Sequence, residues 1–251
     1  MLFQKQAGMW ALFLKEIRSF LSSLTGYIVM IIFLAITGLF LWVIPSESNL
    51  LDYGYANLDG LFIIGPFVFL FLVPAVTMRS FADERKSGTI ELLFTRPLSD
   101  FQIVWAKYLA AVALVLFSLI PTLVYYVTVY RLGIPPGNID SGGFWGSFIG
   151  LFLLGAVFTS IGIFSSAVSD NPVVSFVLAV IISAFMYLGF EFIYALEWFG
   201  NINLLIKSLG ISDHYSSISR GVVDTRDLIY FFSVIGLFLF LTKFSLSVRK
   251  W

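Results

Sequence analysis

Eight of the chain's 30 charged side chains lie within residues 78–100, "MRSFADERKSGTIELLFTRPLSD", between two long hydrophobic runs. Four are basic and four are acidic, namely Arg79, Arg85, Lys86 and Arg96, and Asp83, Glu84, Glu91 and Asp100. Charges of both signs beside a small apolar stripe are typical of a surface that binds another protein. The alternative is that the segment is only a solvated connection.

Two short helices are predicted within this charged segment. Ser80 followed by Asp83 predicts a capping box that starts the first helix, and Gly88 predicts its end. The second helix is expected to begin near Thr89 and to stop at Pro97. Its apolar face would comprise Ile90, Leu93 and Phe94.

Little else in the chain could carry out a reaction. The usual phosphate-binding patterns, G-x-x-x-x-G-K-S/T and G-x-G-x-x-G, are absent. The absence of cysteine excludes thiol catalysis and cysteine-based metal sites. The only histidine, His214, lies in "SDHYSSISR", which allows either a Ser–His pair or a hydrogen-bonded loop histidine. We expect no catalytic residue, metal site or cofactor in this chain.

The composition is that of an integral membrane protein. Hydrophobic residues make up 59% of the chain, charged residues 12%, and the mean hydropathy is +0.95, whereas soluble domains carry about 25% charged residues. The zero net charge disfavours nucleic acid as a partner. Because a span needs roughly 20 apolar residues, we predict one all-α membrane domain over residues 1–251. Its six transmembrane helices are expected at about 25–44, 60–78, 103–130, 144–168, 172–190 and 228–246.

Basic residues predict the orientation, because they concentrate on the cytoplasmic side. With the N-terminus inside, 11 basic residues lie inside and 4 outside. The inner set is Lys5, Lys15, Arg18, Arg79, Arg85, Lys86, Arg96, Lys107, Lys243, Arg249 and Lys250. The outer set is Arg131, Lys207, Arg220 and Arg226. Both termini and the loop 79–102 are therefore expected in the cytoplasm.

Residues 9–24 predict an amphipathic helix that lies in the inner membrane surface. Its apolar residues at helical spacing are Trp10, Phe13, Leu14, Ile17, Leu21 and Leu24, and its basic residues are Lys15 and Arg18. The alternative is a longer first span, in which Lys15, Glu16 and Arg18 would be costly within hydrocarbon.

Two further segments have distinctive composition. In the fourth span, Gly142, Gly146 and Gly150 recur at four-residue spacing, which allows close helix packing either within one subunit or between two. Residues 191–227 are too polar to span, so we expect a periplasmic loop with short interfacial helices.

The charged segment resembles the pattern that follows the second helix of ABC-2-type exporter permeases, R-x-x-A-E/D-E-R-x-x-G-T-I/L-E-L-L, then a proline and a G/A-K pair. The matching residues are Arg79, Ala82, Asp83, Glu84, Arg85, Gly88, Thr89, Ile90, Glu91, Leu92, Leu93, Pro97, Ala106 and Lys107. A second stretch, residues 214–231, resembles the family's H-F/Y-x-S/N-I/F-x-R/K-G-V/I-V/I-D segment through His214, Arg220, Gly221 and Asp224. Within the family, the chain most resembles the permease subunit of the gliding-motility-associated transporters of Bacteroidetes.

The resemblance implies a multi-pass permease of the bacterial inner membrane. A separate cytoplasmic ATPase, which binds ATP and Mg²⁺, would dock onto the loop 79–102. It implies a homodimer or a pair with a related permease, and, for the gliding-motility branch, a second membrane subunit with a large periplasmic part. The residues expected to form the docking element are Arg79, Phe81, Asp83, Glu84, Arg85, Lys86, Gly88, Thr89, Ile90, Glu91 and Leu93. Alternatives are an exporter for another substrate, such as one serving nitrous-oxide reductase maturation, a membrane scaffold, or a membrane enzyme.

Overall fold

A computed structural model describes residues 2–91, 95, 98–197 and 200–248, and the regular structure within these residues is entirely helical. The α-helices are α1 (Leu2–Leu21), α2 (Leu24–Trp42), α3 (Leu50–Tyr53), α4 (Asp59–Thr77), α5 (Ala82–Lys86), α6 (Asp100–Leu119), α7 (Leu123–Leu132), α8 (Ser141–Val168), α9 (Pro172–Ala184), α10 (Phe190–Ala195), α11 (Asn203–Ser208), α12 (Ile211–Ile218) and α13 (Thr225–Val248). The prediction of an all-α membrane chain is confirmed.

Five helical segments in the described residues are long and apolar enough to cross a membrane, and a bent pair can supply a sixth. The five are 59–86, 100–132, 141–168, 172–195 and 225–248. The bent pair comprises the helical segments 8–21 and 26–42, whose axes differ by 62°. The bend separates α1 from α2 close to the predicted boundary between the amphipathic helix and the first span.

The fourth span, α8, is the centre of the bundle. Of its most apolar window, 83% is buried, against 22% for the window in 172–195. It packs against α4, α6, α9 and α13. A side chain at Gly146 would collide with the backbone of Gly221, and one at Gly150 would collide with Ile218. These two glycines therefore serve packing within one chain.

Two of the spans change helical type along their length, the third at Pro121 and the fifth at a wider, π-helical turn. α4 runs through Pro66 and Pro74 without a break, whereas Pro121 lies in a 3-10 turn (Ile120–Thr122) between α6 and α7. A π-helical turn (Phe185–Gly189) joins α9 to α10, and such turns are frequent at functional sites.

The apolar side of α1 is divided into two stripes, rather than forming the single face that its sequence predicts. Leu12 is 2% exposed and, with the half-buried Phe13, packs into the core; α1 lies against α6. Trp10 and Leu14 remain 53% and 48% exposed on an adjacent stripe. Ile17 is half-buried, and Lys15 and Arg18 are exposed.

The segment 191–227 contains short helices, as expected, including α11 and α12. The position of the segment at a membrane surface stays a prediction, and residues 198–199 lie outside the described residues. The sequence did not predict that α12 would be buried: Ile211 and Ile218 are 0% exposed and Tyr215 is 4% exposed. α12 packs between the ends of the spans, against α8, α13 and the π-helical turn.

Candidate functional site at the coupling loop

The coupling loop (residues 79–102) begins with a turn that is held by a neighbouring span. The backbone N–H groups of Phe81 and Ala82 donate to the Ser166 hydroxyl of α8 at 2.9 and 3.1 Å. The same hydroxyl donates to the carbonyl of Met78 at 3.0 Å. The predicted capping box is therefore wrong, because Phe81 is the N-cap and no side-chain cap bond forms there. The backbone N–H groups at the start of α5 are hydrogen-bonded by a side chain that is distant in sequence. The spacing of nearby residues cannot predict such a contact.

Gly88 ends α5 in the predicted way. Its φ is +69°, in the left-handed region that favours glycine, and a side chain there would meet no neighbour within 4 Å. Backbone conformation, rather than lack of space, therefore selects the glycine. Ile90 and Glu91 are helical, but the expected continuation through Leu93, Phe94 and Pro97 lies outside the described residues.

A buried lysine lies directly behind the loop. Lys107, near the start of α6, is 3% exposed. Its Nζ donates to Glu84 Oε1 of α5 at 2.8 Å, to the Ser80 carbonyl at 2.7 Å and to Glu16 Oε1 of α1 at 3.2 Å. It also lies 5.0 Å from the centre of the Phe81 ring. One ammonium group thus joins three elements that are distant in sequence; we call these contacts the Lys107 junction.

The charges of the Lys107 junction balance, because Lys15 adds a second cation beside the two carboxylates. Its Nζ lies 3.1 Å from Glu16 Oε1 and 4.0 Å from Glu84 Oε1. Burial by itself raises the pKa of the Glu16 carboxyl, but the ammonium groups of Lys107 and Lys15 outweigh it and hold that pKa below its ordinary value. Since an unpaired buried charge is strongly unfavourable, these partners hold one another in place.

The expected docking residues divide into an inward and an outward set. Phe81 is fully buried, Glu84 binds Lys107, and Arg85, whose side chain is 8% exposed, lies 3.4 Å from Asp170. Ile90 is half-buried and packs against the core. The exposed residues of the expected set are Arg79, Asp83, Lys86, Gly88, Thr89 and Glu91. Among the described residues of the expected set, only this outward set is exposed, and Leu93 lies outside the described residues.

Three residues that shape the loop were absent from the predicted set: Glu16, Lys107 and Ser166. Lys107 could have been found, because a lysine within a predicted apolar span needs a carboxylate partner. Glu16 could have been found in the same way, because a carboxylate among the apolar residues of α1 also needs a partner of opposite charge. Ser166 carried none, since serine is ordinary in a tightly packed span.

The motif at the opposite end of the bundle has structural roles. His214 Nδ1 lies 2.7 Å from Asp227 Oδ1, and Nε2 lies 2.9 Å from the Ser208 carbonyl. The Tyr230 ring stacks on the imidazole at 3.9 Å. Both ring nitrogens are thus occupied, which argues against the Ser–His pair and for a hydrogen-bonded structural histidine. The histidine lies in helix α12 rather than in the expected loop.

The other predicted members of that motif shape the backbone. Asp224 accepts from the Arg226 N–H at 3.0 Å, at the start of α13. The Arg220 side chain donates to the Ser216 carbonyl at 3.0 Å. Gly221 has a φ of +86° and lies against Gly143 of α8. These contacts fold the segment between α12 and α13 onto the fourth span.

Residues 44–242 match the model of a family described as ABC-2 family transporter protein. The chain belongs to this family. It is therefore the membrane component, or permease subunit, of an ABC transporter, and such components have no catalytic activity of their own. The matched region of this ABC-2 permease contains the coupling loop, Lys107 and the His214 motif, whereas Glu16 precedes it. A search of curated proteins found no match.

Proposed function

We propose that this ABC-2 permease subunit binds a separate cytoplasmic ATPase through the outward side of the coupling loop. The family implies such a partner, which would bind ATP and Mg²⁺. The exposed loop residues include two bases, Arg79 and Lys86, and two acids, Asp83 and Glu91. Exposed charges of both signs suit the polar rim of a protein interface. Phe81, Glu84, Arg85 and Ile90 would support this surface from behind rather than touch the partner.

The Lys107 junction is the observation that carries the proposal. It binds α1, α5 and the start of α6 through contacts of 2.7–3.2 Å. A partner that displaces α5 would therefore move α1 and α6 with it. The loop also follows α4 directly, so the same displacement would reach the second span. This arrangement suits the conversion of ATP hydrolysis into movement of the transmembrane helices.

For the orientation, we propose that both termini and the coupling loop lie in the cytoplasm and that the membrane is the bacterial inner membrane. The excess of basic residues on that side, 11 against 4, supports this topology. A reporter that is active only in the periplasm, fused after residue 251, should be inactive. Strong activity would contradict the orientation.

More specifically, we propose that the transporter either exports a substrate or drives mechanical work in the periplasm for gliding motility. The support is the sequence resemblance alone. The companions proposed on the same basis are a second membrane subunit with a large periplasmic part, and a second copy of the permease or a related one. An exporter serving another substrate, such as nitrous-oxide reductase maturation, is the alternative within the family.

Purification from native membranes in mild detergent, followed by mass spectrometry, tests the proposal. We expect an ABC-type ATPase in stoichiometric amounts, together with ATP hydrolysis that depends on the permease. Recovery of motility or secretion components without an ATPase would favour a non-transporting scaffold instead.

A further inference from the structure

The buried helix α12 is fastened to the second span at a proline. Pro66 has no N–H, so the carbonyl of Phe62, four residues earlier in α4, lacks its usual helical donor. The Tyr215 hydroxyl of α12 donates to this carbonyl at 2.7 Å, and both groups are buried. A side chain from another element thus completes the hydrogen bonding of the second span.

Aromatic contacts place Tyr215 at a junction of spans. Its ring centre lies 6.2 Å from that of Tyr187, which is in the π-helical turn of the fifth span. Tyr187 in turn contacts Phe67, next to Pro66, at 6.1 Å. Tyr215 is therefore held between the irregular turn of one span and the proline of another.

The neighbouring side chains fasten α12 to two other spans. His214 binds Asp227 of α13 at 2.7 Å, and Ile218 packs against Gly150 of α8. Because α12 is anchored on several sides, it cannot follow α4 without changing these contacts as well.

α4 connects this anchor to the coupling loop. It runs as one helix from Phe62 to Thr77, roughly 22 Å at about 1.5 Å per residue, and α5 begins at Ala82. We infer that Tyr215 is a positioning residue that links α12 mechanically to the coupling loop through α4. A displacement of α12 therefore moves the coupling loop, and a displacement of the coupling loop moves α12. The role of this link in transport rests on the proposed ATPase docking, but the link itself does not.

The labelling rate of a cysteine in the coupling loop tests the link in the full-length permease alone, in lipid nanodiscs. The chain has no cysteine, so Ser80→Cys introduces a single thiol at a position that is 9% exposed. Labelling by a maleimide then reports how often the loop opens. Tyr215→Phe should raise the labelling rate about five- to thirtyfold, the range expected when a buried hydrogen bond is lost from a two-state equilibrium.

Two further variants separate the link from simple structural support. Tyr125→Phe removes another hydrogen bond from a tyrosine hydroxyl to a carbonyl of a neighbouring span, that of Leu34 at 3.1 Å, and should leave the rate unchanged. Pro66→Ala restores a backbone donor for the Phe62 carbonyl. The Pro66→Ala/Tyr215→Phe double variant should therefore regain thermal stability but keep the raised labelling rate. If Tyr215→Phe alone does not fold, the labelling rate of this double variant is compared with that of the parent instead.

The inference is overturned if Tyr215→Phe labels like the parent, if Tyr125→Phe raises the rate equally, or if Pro66→Ala returns the double variant to the parent rate. The last result would mean that Tyr215 only satisfies a carbonyl. None of these measurements needs the ATPase, so a failure to recover one would count against the proposed docking and leave the link standing.

Discussion

At the scale of single residues, the coupling loop depends most on Lys107, a cation buried between two carboxylates and a carbonyl. Burial of charges is offset only when the geometry and the partners are complete. Substitution of Lys107 by methionine keeps an unbranched side chain of similar size but removes the buried cation between Glu16 and Glu84, so that only the exposed Lys15 remains beside them.

Lys107→Met should lower the free energy of unfolding by about 3–5 kcal/mol, the usual result of removing one partner from a buried ion pair. Thermal unfolding in detergent, followed by tryptophan fluorescence, measures the loss. The combination Lys107→Met/Glu16→Gln/Glu84→Gln should recover part of it, because no buried charge is then left without a partner and the remaining Lys15 is exposed. As a control, Lys243→Met alters an exposed lysine and should change stability by no more than about 0.5 kcal/mol. Equal effects of Lys107→Met and Lys243→Met would show that the junction does not stabilise the fold.

Single residues can be predicted from the sequence where the local backbone conformation alone determines which residue type fits. Gly88 follows from its position after a short charged helix, and its φ of +69° agrees. The capping box at Ser80 failed because Ser166, far along the chain, satisfies the same N–H groups. The sequence predicts Glu84 on the partner-binding surface, because it does not show that Glu84 is the residue bound by the Lys107 ammonium group.

At the scale of elements, α1 has three sides with different surroundings. One side packs against α6, a second presents Trp10 and Leu14, and the third is polar. Against the residues that the structure describes, Trp10 and Leu14 on the second side remain about half exposed, which fits contact with lipid at the membrane surface.

In a bilayer, Leu14→Cys should therefore react with a water-soluble maleimide at least about tenfold more slowly than Ser19→Cys, because its thiol would lie in lipid. Both positions are exposed in the protein itself, so protein packing does not account for a difference. The rates should converge after transfer to urea. Equally fast labelling of both positions in the bilayer would contradict the interfacial placement of α1.

The spans were predictable because roughly 20 apolar residues in a row leave few alternatives to a membrane helix. The burial of α12 was missed, although Ile211, Tyr215 and Ile218 have the i, i+4, i+7 spacing of a helix with one apolar face. The serines and charged residues of the segment favour a polar loop instead. The π-helical turn at 185–189 had no clear sequence signal.

At the scale of the whole molecule, the two ends of the bundle are connected by α4. The coupling loop follows one end of this helix, and Tyr215 is bonded near the other. Composition predicted a membrane protein, but the order in which the spans pack around α8 depends on contacts between distant residues. Those contacts join the coupling loop to α1, α6 and α8, and its role as a docking element stays a proposal.

Binding of the ATPase to a permease with an altered loop surface is the most direct test of the docking proposal. Asp83→Lys/Lys86→Glu reverses two exposed charges while leaving the Lys107 junction intact. Asp52→Lys/Arg131→Glu makes the same exchange at exposed positions at the opposite end of the bundle, and serves as the control. Each variant is purified with the ATPase, and the ratio of ATPase to permease is measured. We predict that the loop variant loses at least about 2 kcal/mol of binding free energy, roughly a thirtyfold loss of affinity, because each reversed charge would face a like charge on the partner, while the control keeps the parent ratio. A loop variant that binds the ATPase as well as the parent would contradict the proposal that this surface is the docking element.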